Sequence, residues 1–137
     1  MAGPLAINLV TPRGVVAHTD AGSVQAPGEL GEFELLPGHV PMLTALKAGV
    51  LTIGGKDRYA VATGYLRVDP TGAVEILVEQ AMLAKDVDTA AATKDLQAAE
   101  ADLAKWGDKP QDGDFANLSA RAGWARARLD AAARAAH

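Results

Sequence analysis

Residues 50–78 read VLTIGGKDRYAVATGYLRVDPTGAVEILV, and their punctuation decides the fold. Val50–Ile53 meets Gly54-Gly55-Lys56-Asp57, a hairpin signal, because glycine adopts the positive φ that tight hairpin turns require. Tyr59-Ala60-Val61-Ala62 passes through Gly64 into Tyr65-Leu66-Arg67-Val68. Asp69-Pro70-Thr71-Gly72 is a second turn, and Val74–Val78 follows it. Short apolar runs between turn signals are strands of a sheet.

The same grammar extends upstream. Leu5, Ile7 and Leu9 alternate with Ala6 and Asn8 until Thr11-Pro12-Arg13-Gly14 breaks the run. Val15–His18 ends near a turn at Asp20-Ala21-Gly22, and Ser23–Ala26 is a short strand that stops at Pro27-Gly28. Strands at this spacing predict an antiparallel β-sandwich or barrel. The connections have no room for crossover helices, which argues against parallel pairing.

Composition changes near Lys85. Residues 1–85 hold 11 of the 14 glycines, 6 of the 7 prolines and ten of the eleven valines, whereas residues 88–137 hold 17 alanines. The chain therefore divides into a β-sandwich domain, residues 1–85, and a helical domain, residues 86–137. In the second domain Ala92, Leu96, Ala99, Leu103 and Trp106 recur at helical spacing, as do Phe115, Leu118, Ala122, Ala125, Leu129, Ala132 and Ala136. The breaker-rich run Gly107–Gly113 lies between them. Two antiparallel helices forming a hairpin follow, with Asp86 or Asp88 capping the first and Asp112 or Asp114 the second. Residues 86–113 carry net charge −4 and residues 114–137 net charge +2, which favours their pairing. Asp130 and Arg134 are spaced as an i,i+4 ion pair. The seam is mostly alanine and removes little apolar area from water, so the hairpin is expected to be marginally stable.

Several function classes drop out. The 137 residues are 49% apolar and 22% charged, enough for a packed core. A net charge of −4 argues against a general nucleic-acid binder. The chain has no cysteine, which removes disulfides, thiol catalysis and Cys-ligated zinc. No apolar run has membrane-span length, and Met1-Ala2-Gly3-Pro4 shows no targeting signal, so a cytoplasmic protein is expected. His18, His39 and His137 share no metal-binding spacing. Ser23 and Ser119 lie outside any nucleophile motif. Gly54-Gly55-Lys56 lacks the upstream glycine of a phosphate loop, and Asp57 stands where a Ser or Thr should hold magnesium. Neither a metal nor a catalytic site is expected. Glu29, Glu32 and Glu34 read as a solvated acidic stretch. Trp124, beside Gly123 and off the helix seam, is expected to pack on the sandwich.

One segment stands out: Gly31-Glu32-Phe33-Glu34-Leu35-Leu36-Pro37-Gly38-His39-Val40-Pro41-Met42-Leu43. Pro37 and Pro41 cannot donate to a sheet, so the segment is expected to be a stiff, non-ladder docking loop or a corner of the sandwich.

This segment resembles the signature of the epsilon subunit of bacterial F-type ATP synthase, a glutamate-leucine-glycine run followed by proline-glycine-histidine-alanine-proline-leucine. Leu9–Gly14 resembles the family's first strand and turn, Thr44–Leu51 the run after the signature, Gly64–Val68 the next glycine-led strand, and Lys85–Asp88 the junction into the helices. Phe33 replaces a usual leucine, Val40 an alanine and Met42 a leucine. Glu34 stands where glycine is usual, so a positive φ there would be strained.

The resemblance implies a ten-stranded sandwich followed by a helical hairpin, in a non-catalytic subunit of the central rotor. It implies a sandwich that binds the gamma subunit and sits on the ring of c subunits. The helices in many relatives swing toward the catalytic alpha/beta head and inhibit ATP hydrolysis. Carried over by position, Glu32 and Phe33 would face the c ring, and Val10, Thr11, His39 and Thr44 the gamma subunit. Gly31, Pro37, Gly38, Pro41 and Met42 would shape the signature loop. Arg121, Arg126, Arg128 and Arg134 would be the inhibitory contacts. Some relatives bind ATP between the helices through a motif whose matching run here is Val87-Asp88-Thr89-Ala90-Ala91-Ala92. Asp88 and Ala92 match, but Ala91 stands at the arginine position, so weak or no ATP binding is expected and no cofactor is implied. The implied location is peripheral, on the cytoplasmic face of the bacterial inner membrane. Two other classes compete: a freestanding sandwich module that dimerises through its hairpin, and a small hydrolase, which the shortage of nucleophiles disfavours.

Overall fold

The computed structural model describes residues 3–135. Turns cut the first part of the chain into strands β1 Leu5–Thr11, β2 Gly14–Ala21, β3 Val24–Gly28, β4 Gly31–Leu35 and β5 Met42–Leu46. These continue as β6 Gly49–Ile53, β7 Asp57–Val61, β8 Gly64–Val68, β9 Val74–Val78 and β10 Ala81–Leu83. A 3-10 turn at Ala84–Asp86 leads into helices α1, Thr89–Ala104, and α2, Gly113–Ala135. The expected strand-then-hairpin architecture is thus present. Gly54 and Gly55 take φ of 66° and 75° in the β6–β7 turn, the conformation for which glycine was read there.

The strands follow one hydrogen-bonded path, β10-β7-β6-β3-β5-β8-β9-β1-β2, with β4 added on β3. The path folds over at β3 and β5, which share a single residue pair, Gly28 and Leu46. Ile7, Leu9, Leu35, Leu51, Leu66 and Ile76 are wholly buried between the two halves. Each is worth roughly 1.5–3 kcal/mol when removed from water, so the sandwich holds most of the apolar stabilisation. At the β8–β9 crossing the backbones meet closely: a Cβ on Gly64 would lie 2.0 Å from the Leu77 carbonyl oxygen.

Two expectations are corrected. Pairing is not purely antiparallel, because β1 runs parallel to β9 from Ile7↔Val74 to Val10↔Leu77. No crossover helix is needed, since the intervening strands themselves return the chain to the same edge. Residues 31–43 are also not all outside the ladders. Gly31–Leu35 pairs with β3 and Met42–Leu46 with β8, leaving only the link around Pro37 and Pro41 unpaired. Glu34, opposite Gln25, sits in ordinary extended pairing, and no described non-glycine residue has positive φ.

In the helical part, the Asp88 carboxylate caps α1 by accepting from the Ala91 amide at 3.0 Å. Asp112 does the same for α2, accepting from Asp114 and Phe115. Ala92, Ala99, Ala122 and Ala125 are buried, with Leu96, Leu103, Leu118 and Leu129 half-buried beside them. The alanine seam is therefore closed inside one chain rather than left open for a second copy. Trp106 departs from the expected stripe, for α1 ends at Ala104 and the ring folds over the turn instead. Its indole N–H donates to the carbonyls of Lys109 and Pro110, and the Lys109 ammonium lies 4.5 Å from the ring centroid. Ala136 lies outside the described residues.

Helix α2 has a second buried face that a single stripe did not foresee. Ala127 and Ala131 are buried against Val50, Ala60 and Ala84, with Ala48 and Trp124 packed around them. Trp124 thus packs on the sandwich, as expected. Small side chains on both partners let the helix lie close to β6 and β7.

Candidate docking surfaces

Three surfaces carry the residues singled out by sequence. The first is the β3–β4 hairpin. Its register runs from Val24↔Leu35 to Gly28↔Gly31, so Glu29 and Leu30 form the tip. The tip is tied to β5: the Glu29 amide donates to the Ala45 carbonyl at 3.0 Å, and the Lys47 amide to the Pro27 carbonyl at 2.9 Å. Pro27 needs no donor of its own at this position. Leu30 is fully exposed at 105%. Strand alternation then separates the two residues expected together at the c ring. Glu32 points outward, while Phe33 is half-buried and packs on the core beside Leu35. Leu30, which sequence reading passed over, is the exposed apolar group of this tip.

The second surface is the link around His39. The His39 amide donates to the Leu36 carbonyl at 3.2 Å, and Gly38 has φ of 85°. Proline followed by a positive-φ glycine is the residue order of a type II turn, which explains why Pro37-Gly38 stands here. His39 is exposed, flanked by exposed Leu36, Val40 and Leu43.

The third surface is the outer face of β5, β8, β9 and β1. A groove of about 610 Å³ runs here, lined by Val10, Thr11, Ala45, Tyr65 and Leu77 among others. Val10 and Thr11 are half-buried along it, and Tyr65 and Leu77 are exposed at 57% and 47%. Thr44 falls instead on the side of β5 shared by Met42 and Leu46, both packed in the core. Its neighbours Leu43 and Ala45 are the outward residues. Tyr65 and Leu77 could have been found by carrying period-two alternation through GYLRV and VEILV. Beyond the groove, Arg67 and Glu75 pair across the same face. That pairing, together with the Glu75 charge, raises the Arg67 pKa further.

The four arginines of α2 do not form one patch. Arg128 donates to Asp95 of α1 at 2.8 Å, and Arg126 lies 3.9 Å from Glu100 of α1. Arg134 meets Glu32 of β4 at 3.3 Å, not the expected Asp130, because α2, seated on β6 and β7, brings its last turn within reach of the neighbouring β4. Arg121 lines a cleft between the helices with Asp95, Asp102, Trp124 and Arg128. The Arg128 guanidinium sits 5.4 Å from the Trp124 ring centroid, and its Nε is buried without a hydrogen-bond partner among the described residues. Asp88 is occupied as a helix cap. Among the described residues no three His, Cys, Asp or Glu side chains gather as a metal site, and no helix is long and apolar enough to cross a membrane. His137 lies outside the described residues.

A rigid β-sandwich bearing exposed apolar faces, with a helical hairpin laid along its flank, defines a class of docking scaffold. Residues 4–84 match the family model described as the ATP synthase delta/epsilon chain β-sandwich domain. The chain is 38% identical to the ATP synthase epsilon chain of Geobacter sulfurreducens, covering 99% of each chain. It is 34% identical to that of a Synechococcus species, covering 93% of this chain and 96% of the other. It therefore belongs to the ATP synthase epsilon chain family. The fold is also similar to a chain in the Euglena gracilis mitochondrial ATP synthase OSCP/F1/c-ring structure, with TM-score 0.70, 22% identity and coverage of 98% and 82%. A chain in the Tetrahymena thermophila central stalk and c-ring structure aligns with TM-score 0.64 at 17% identity, covering 96% and 98%.

Proposed function

We propose that this epsilon chain is a non-catalytic part of the rotor, docking between the gamma subunit and the c ring and so linking proton flow to ATP synthesis in the head. The observation that carries this reading is the outward apolar groove beside Val10 and Thr11, with Tyr65 and Leu77 exposed on a stiff ten-stranded scaffold. A monomeric chain gains nothing from leaving such side chains in water, whereas a partner covering them gains their burial. In this reading Val10, Thr11 and Tyr65 meet the gamma subunit, with His39 at its margin. Glu32 and Leu30 at the β3–β4 tip face the polar loops of the c ring. The chain sits peripherally, at the cytoplasmic face of the inner membrane, held there by its partners.

The hairpin is the regulatory part. Arg126, Arg128 and Arg134 are engaged by Glu100, Asp95 and Glu32, so they reach the head only after α2 leaves its present seat. The hairpin holds no ATP site in this reading. Support comes from Ala91 at the arginine position, Asp88 used as a cap, and Arg128 in the inter-helix cleft already paired with Asp95. Hydrolysis by epsilon-depleted head from the same organism tests the regulatory role. The full chain should suppress it, and replacing Arg121, Arg126, Arg128 and Arg134 with alanine should relieve suppression without loss of binding. Suppression unchanged by the fourfold variant would end this account of the helices.

A further inference from the structure

Helix α2 is held to its two neighbours by different means. Toward α1 it has the alanine seam, the Trp106–Phe115 contact and two ion pairs, Arg128–Asp95 and Arg126–Glu100. Toward the sandwich it has a small cluster of alanine-sized side chains with Val50 and Trp124. Among the described residues, the side-chain polar link between α2 and the sandwich is Arg134 to Glu32, at 3.3 Å. Arg134 lies in the last turn of α2, so this pair anchors the end of the helix.

Glu32 lies two residues beyond Leu30 at the β3–β4 tip, where Glu29 is a second exposed carboxylate. The Glu29 and Lys47 backbone bonds tie the tip to the end of β5. Both members of the pair are half-exposed, Glu32 at 51% and Arg134 at 46%, so the carboxylate is open to a competing donor. Glu32 shares its groove with Arg126, Asp130 and Arg134 of α2 and with Lys47 of the sandwich.

We propose that Glu32 is shared between two exclusive partners, so that a polar, donor-bearing loop of the c ring engaging the β3–β4 tip withdraws it from Arg134 and loosens the C-terminal end of α2. Seating on the ring then weakens the hold of the sandwich on the hairpin. The proposal rests on the reading that this tip faces the ring. An exposed pair contributes modestly, so the effect is graded: a fewfold change in how often the helix end opens, up to about fivefold.

Hydrogen exchange of the α2 amides in residues 126–135 tests this, in the full chain alone and bound to a purified rotor of gamma subunit and c ring. Alone, Glu32→Ala and Arg134→Ala should each speed exchange by up to about fivefold, and the swapped double variant E32R/R134E should restore protection. Strand amides should keep their protection in every variant, which separates this effect from misfolding. On the rotor, the wild type should exchange at the rate of the single variants, and Arg134→Ala should show no further increase. Wild-type protection unchanged on a rotor that co-sediments with the chain overturns the proposal. So does equal exchange in wild type and single variants before any rotor is added. A rotor that fails to bind the wild-type chain overturns the docking reading itself, and co-sedimentation reports that outcome separately.

Discussion

The Trp106 ring meets the Phe115 ring edge-on, with centroids 5.4 Å apart, across the turn that joins α1 to α2. The indole N–H is taken up by two carbonyls of the same turn, and Lys109 covers the ring. The hairpin whose seam is alanine is thus clasped at its turn end. Trp106→Ala should lower the local stability of the hairpin by about 1–2 kcal/mol, combining the aromatic pair and the cation–π contact. Exchange of amides near residues 100–104 and 115–119 should quicken, while strand amides keep their protection. Equal protection of those helix amides in wild type and variant would show that the clasp contributes little.

Gly64→Ala tests the close approach of β8 and β9. The added Cβ would fall 2.0 Å from the Leu77 carbonyl oxygen, and backbone rather than a flexible side chain must move. A loss of at least 1–3 kcal/mol, roughly the range for overpacking, is expected in urea unfolding. Because Leu77 also lines the outer groove, partner binding should weaken with it. Unfolding at the wild-type midpoint would contradict the packing described.

The β8–β9 turn carries a pH signature. Asp69 is held below the usual carboxylate range, chiefly by the Thr71 hydroxyl and then by the Ala73 and Thr71 amides, with the Arg67 charge adding to the effect. A carboxylate with a depressed folded-state pKa stabilises the fold above its unfolded value of about 3.9 and loses that contribution as pH falls. The stability difference between wild type and Asp69→Ala should therefore be full above about pH 5 and should shrink as pH drops below about 4. A difference that stays constant across that range would remove the carboxylate from the account.

How much of this was legible depends on how far apart the responsible residues lie. The Gly54-Gly55 turn is local, so a few residues suffice to read it; the same local signal narrowed the caps to Asp86 or Asp88 and Asp112 or Asp114, and marked Pro37-Gly38 only as part of a stiff loop or corner. The β1–β9 pairing joins Ile7 to Val74, and its parallel sense follows from how the whole sandwich closes. Arg134 and Glu32 are 102 positions apart, and the nearby Asp130 offered a plausible local partner in its place. Phe33 was grouped with Glu32 by position in the family signature, without regard to strand alternation. Once Gly31–Leu35 is a strand, alternation turns the ring inward and leaves Leu30 at the tip. The second buried face of α2 was hidden because alanine marks a tight approach and an exposed helix surface equally well.

The absence of an ATP site in the hairpin is tested by calorimetry on the full chain. Titration with ATP and magnesium should give no saturable heat in the micromolar range. Introducing Ala91→Arg restores the charge missing from the motif position, and a gain of binding in that variant would assign the difference to this residue. Micromolar affinity in the wild type would contradict the reading.

The central claim is that the outer face of the sandwich docks on the gamma subunit. Co-sedimentation of the full chain with epsilon-depleted catalytic head retaining gamma measures this most directly, with Leu77→Asp and Tyr65→Ala compared with wild type. The account predicts that the wild type binds, that Leu77→Asp weakens binding by at least about tenfold, corresponding to about 1.4 kcal/mol, and that Tyr65→Ala weakens it less. Wild-type binding retained in full by both variants would contradict it.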